Sequence, residues 1–125
     1  TGSNDVQQAV QSIVTRCDAI YIPTDNTFAS AMPLVGSVVM ESGTPVICGA
    51  TGMVEAGGLI TLGLNYYNLG YQTGEMAAQV LEGADPASMP VQSQNQYDYV
   101  VNEEMLSALG MELPQSLLEK MGDAA

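Results

Sequence analysis

The sequence predicts an α/β fold in which a parallel sheet lies between helices on both faces, in three layers. Two observations lead there: helix-patterned stretches alternate with short apolar runs, and each of the first three runs ends in a loop built from Pro, Gly, Asn or Asp. Strands separated by helices imply right-handed crossovers, and crossovers imply parallel pairing. The 125 residues are 46% hydrophobic, enough for a sizeable core, and the apolar residues come in short pieces. No run approaches the ~20 residues that a membrane span needs.

Ser3 or Asn4 can cap a first helix whose Val6, Ala9, Val10, Ile13 and Val14 recur on one face. Ala19-Ile20-Tyr21-Ile22, closed by Pro23, is nearly continuous in apolar character, the pattern of a strand buried on both faces. A second helix from Thr27 to Ser42 gathers Phe28, Ala31, Leu34, Val35, Val38 and Val39, and Pro33 inside it predicts a kink or a late start. Gly43 ends it, and Pro45-Val46-Ile47-Cys48 reads as the next strand. A short helix through Met53-Val54-Glu55 precedes a third strand, Leu59-Ile60-Thr61-Leu62. A long helix from Tyr67 to Leu81 stops at Gly83 and leads into a loop from Asp85 to Pro90. After it come a strand at Tyr97 to Val101, a short helix from Glu103 to Leu109 and a last one from Pro114 to Met121.

Charge and residue inventory exclude several functions. Fourteen acidic residues against two basic ones, Arg16 and Lys120, leave a net charge of -12, which repels phosphate backbones and predicts no nucleic-acid partner. With no histidine and no CxxC spacing, neither a Cys-His nucleophile nor a histidine-ligated metal site can form within the chain. Cys17 and Cys48 read as reduced, mostly buried small side chains, with a disulfide or a reactive thiol as the alternative. The eight methionines read as core filler, and Glu103-Glu104 as compensation of a helix dipole. No nucleophile, base and orienting group can be assembled, so neither an enzyme nor a cofactor is expected. The chain opens at Thr1 without Met, basic segment or apolar leader, which reads as a processed or truncated product.

In open parallel sheets, ligands lie beyond the carboxyl ends of the strands. Thr24-Asp25-Asn26 sets a hydroxyl, a carboxylate and an amide before a helix, suited to the two charges of a zwitterion; Asp25 or Asn26 reads equally as a helix cap. Gly49-Ala50-Thr51-Gly52 lets backbone approach a ligand but lacks the length and lysine of a phosphate loop, and its glycines also suit a plain tight turn. Asn65-Tyr66-Tyr67 offers an amide and rings to stack on a planar ligand, or a cap and a packed tyrosine.

The stretches Asn4-Asp5-Val6-Gln7-Gln8-Ala9-Val10, Asp18-Ala19-Ile20-Tyr21-Ile22-Pro23-Thr24-Asp25-Asn26 and Asn65-Tyr66-Tyr67-Asn68-Leu69-Gly70-Tyr71-Gln72-Thr73-Gly74 together resemble the tryptophan/tyrosine (TrpX-like) type of ABC-transporter substrate-binding proteins. Tyr99-Val100-Val101-Asn102, Leu109-Gly110-Met111 and Pro114-Gln115-Ser116-Leu117-Leu118 resemble that family's C-terminal end. The resemblance implies a periplasmic binding protein of type I, with two Rossmann-like lobes closing by a hinge around one small organic solute, an aromatic amino acid. It also implies an extracytoplasmic place, periplasmic or as a surface lipoprotein, and delivery to an ABC permease in the membrane.

On this reading the first lobe is absent. Residues 1–64 form the Rossmann-like segment of the second lobe, 65–83 the helix that in relatives crosses to the first lobe, and 84–125 a return segment. An uncovered apolar helix face would favour a homodimer or domain swap. Thr24, Asp25, Asn26, Thr51, Asn65 and Tyr66 are the expected ligand contacts. Thr24, Asn26 and Thr51 would face the ligand's carboxylate or polar end, and Asp25 or Asn65 its ammonium. Relatives often carry acidic or hydroxyl residues at Ala50-Thr51 and aspartate at Asn65, so the solute need not be an ordinary amino acid. The effector domain of a repressor, which shares the two-lobed architecture, is the alternative.

Overall fold

The computed structural model describes residues 2–123 and separates into two compact units, residues 1–63 with 99–125, and residues 64–98. The first unit begins with α1 (Ser3–Ile13). The side chains of Ser3 and Asn4, read above as caps, lie outside the described residues; Gly2 holds the cap position, and its N–H donates to Asp5 Oδ2 at 3.0 Å. The chain continues through β1 (Ile20–Ile22), α2 (Asn26–Ser42), β2 (Val46–Cys48), α3 (Thr51–Glu55) and β3 (Ile60–Leu64). After the second unit's helix α4 (Tyr66–Leu81) come β4 (Tyr97–Val101), α5 (Glu103–Ala108) and α6 (Gln115–Asp123). The predicted α/β alternation is therefore present, with boundaries shifted by one or two residues.

The sheet order is β1-β2-β3-β4. Strands β1 and β2 pair in parallel with Tyr21 beside Ile47, and β2 pairs in parallel with β3 at Ile47 and Ile60. Asn102, just past β4, donates its N–H to the carbonyl of Leu59, just before β3, at 2.9 Å. The carboxyl end of β4 thus lies beside the amino end of β3, an antiparallel edge on a parallel sheet, as is common in this fold class.

Alternation along the strands explains the core. Ile20, Ile22, Val46 and Cys48 point to one face and are buried with Val6 and Val10 of α1, Met32, Val35 and Val39 of α2, and Met53, Val54, Leu59 and Met105. Each such side chain contributes about 1.5–3 kcal/mol of transfer free energy. Residues of the other face alternate out: Tyr21 is 65% exposed, Ile47 41% and Leu62 52%. The expectation that β1 is buried on both faces is corrected here, because an apolar run records fitness for burial and not whether a cover is present. Helix α2 is likewise continuous from Asn26 through Pro33, so it does not start late. Pro33 falls on an exposed position, where water can serve the carbonyl that the missing N–H leaves without a donor.

The second unit is α4 and the segment that returns along it. No residue of α4 is buried. Its positions 65, 68 and 72 share one helical face, and each meets the returning chain through a side-chain hydrogen bond. Asn65 donates to Asp98 at 2.7 Å, Asn68 to Gln96 at 2.9 Å and Gln72 to Gln92 at 2.7 Å. Farther along, the helix and the returning chain line an apolar groove with Met76, Val80, Met89 and Val91. A 3-10 turn at Pro86–Ser88, not predicted, interrupts the loop before it.

Candidate functional site

Within the first unit, the loops after β1 and β2 are clasped together. Thr24 donates its hydroxyl to the carbonyl of Gly49 at 3.0 Å, and a Cβ at Gly49 would lie 2.6 Å from the Thr24 nitrogen. Only glycine permits so close an approach. Thr51, the first residue of α3, packs its methyl toward Gly63 at the end of β3, where a Cβ would meet it at 3.2 Å. Thr24 thus lies against the loop after β2, and Thr51 of that connection against the end of β3.

Asp25 caps α2, accepting from the N–H of Phe28 through Oδ1 at 2.9 Å, which leaves its second oxygen for other partners. Asn26 is the first helical residue and its side chain is exposed. In the second unit, Asn65 caps α4, its Oδ1 accepting from the N–H of Asn68 at 2.9 Å, while its Nδ2 donates to Asp98. Tyr66 opens α4 and is 55% exposed. Capping and ligand binding, posed above as alternatives, are compatible for Asp25, whose cap occupies one carboxylate oxygen; Asn65 has Oδ1 in its cap and Nδ2 turned to Asp98, which leaves it only a second Oδ1 lone pair and a second amide hydrogen.

Asp98, the partner of Asn65, was not singled out from the sequence. Its signal was present: a single acid between Tyr97 and Tyr99 in an otherwise apolar strand. A cleft of 510 Å³ between α2, the Glu55–Gly57 turn and α5 contains none of the candidate residues. Among the described residues no group of three or more His, Cys, Asp or Glu is placed to hold a metal, and no helix is long and apolar enough to cross a membrane. Cys17 and Cys48 are both free, which removes the disulfide alternative within this chain.

The family of ABC transporter substrate binding proteins matches residues 1–124. This chain belongs to that family. A tyrosine-binding protein of Clostridioides difficile is 40% identical over 110 residues, covering 88% of this chain and 32% of that protein. The ABC domain from Streptococcus pneumonia in complex with L-Trp superposes with a TM-score of 0.85 at 38% identity, covering 97% of this chain and 41% of that one. A ligand-free, open substrate-binding protein with adhesive properties from Clostridium difficile gives a TM-score of 0.73 at 47% identity, covering 92% of this chain and 39% of its own. The chain thus spans about a third of the curated relative and about two-fifths of the solved structures.

Proposed function

We propose that this chain is part of the extracytoplasmic receptor of an ABC importer, one that binds an aromatic amino acid between two lobes, closes by a hinge and presents the solute to a membrane permease. Binding alone accounts for this activity, without covalent chemistry. The observation that carries the reading is its 40% identity to a tyrosine-binding protein together with its superposition on an L-Trp complex. Asn26 and Thr51 are proposed to receive the ligand's carboxylate or polar end. Thr24, whose hydroxyl hydrogen goes to Gly49, contributes as an acceptor or through its backbone. Asp25, through the oxygen that the cap does not use, or Asn65, through the second lone pair of its Oδ1, is proposed for the ammonium end, with Tyr66 stacking on the ring.

Calorimetric titration of the complete gene product with tyrosine, tryptophan and phenylalanine tests this. Micromolar binding of at least one is expected; absence of heat from all three rejects the aromatic amino acid as solute.

A further inference from the structure

We infer that Asp98 is a further carboxylate for the ligand's ammonium group, held in place for that task by Asn65. This rests on the reading of the solute as an amino acid. Every other acidic side chain whose exposure is described lies open to solvent; Asp98 alone is part-buried. The unit that holds it, residues 64–98, contains no Lys, Arg or His, so no cation of that unit neutralises it. Withdrawing a charge from water without a counter-charge is unfavourable.

The fold does not require that charge. Asn65 is oriented by its cap, Oδ1 toward the N–H of Asn68, so its Nδ2 must face residue 98. The neutral carbonyl of an asparagine at 98 would also accept that amide hydrogen, in a weaker bond but with less desolvation. A carboxylate kept where an amide suffices has a use outside the pair. Its second oxygen has no hydrogen-bond partner among the described residues, and a charge-assisted bond to an ammonium group would give it one.

The test compares tyrosine with 3-(4-hydroxyphenyl)propionate, which is tyrosine without its amino group, on the complete gene product and its Asp98→Asn variant. The variant is expected to bind tyrosine at least tenfold more weakly and to bind the propionate as the parent does. Equal tyrosine affinity in both proteins overturns the assignment while leaving the aromatic amino acid reading intact, and an equal loss for both ligands makes Asp98 merely structural. A parent that binds no aromatic amino acid overturns both proposals. Should Asp98→Asn fail to fold, the exchanged pair Asn65→Asp with Asp98→Asn keeps one carboxylate and one amide at the same contact. It should still prefer tyrosine to the propionate, and loss of that preference counts against the inference.

Discussion

Thr61 carries a hydroxyl into the core of the first unit, where it is 1% exposed and has no hydrogen-bond partner among the described residues. An unsatisfied buried hydroxyl costs about 1–3 kcal/mol, and valine has nearly the same shape. Thr61→Val is therefore expected to stabilise the protein by about 1 kcal/mol, and a lower midpoint in chemical denaturation would show that the hydroxyl has a partner. Cys48 poses a residue-scale question of protonation. Burial pushes its thiol up to about 11 from an ordinary 9.0, because the thiolate is disfavoured away from water. The unfolded chain then loses its proton first, so this contribution to stability is full below pH 9 and is lost as pH climbs toward 11. The stability advantage of the parent over Cys48→Ala should shrink across that interval, and a constant gap would contradict it. At this scale sequence reading found Asn65 by its place after an apolar run, but not Asp98, because the partner of a side chain 33 residues away is a tertiary fact.

At the scale of elements, the first unit depends on a backbone contact between α2 and the turn that precedes β3. Gly57 has φ of +133°, and a Cβ there would come within 2.8 Å of the Met32 carbonyl and 3.1 Å of the Gly36 Cα. Gly57→Ala combines a disallowed conformation, worth roughly 1–3 kcal/mol, with a collision against a helix that cannot shift without disturbing Met32, Val35 and Val39. A clear loss of stability is expected in thermal unfolding, and an unchanged midpoint would mean that α2 yields. The elements themselves were legible because period and punctuation are local: Gly43 ends α2 with φ of +74° where the apolar pattern stops. Of the two outcomes that Pro33 predicted, the late start is the one that did not occur, since a proline at a helical position that meets water need not end the helix, and the sequence does not state which positions do. The amide ladder between α4 and the returning segment was equally hidden, because Asn and Gln read as ordinary loop and helix-surface residues until the two stretches lie side by side.

For the whole molecule, two tendencies oppose each other. Tyr21, Ile47 and Leu62 on the open sheet face and Tyr67, Tyr71 and Leu81 on α4 present apolar surface, which favours association. A net charge of -12 resists it, and salt screens that resistance. The 125-residue chain is expected to self-associate, more strongly as ionic strength rises; sedimentation as a monomer at all salt concentrations would show that this surface is covered in some other way. What the sequence by itself determined is the class of the molecule: the order of elements, the family, the absence of a basic surface and the loops in which a ligand is sought. These follow from local periodicity, composition and contiguous motifs. Only the tertiary structure decided that Thr24 clasps Gly49, that β4 runs against β3, that one sheet face is open and that Asn65 holds Asp98. Each of these is a pairing of residues distant in the chain, settled by which hydrogen bonds and packed surfaces coexist in one fold.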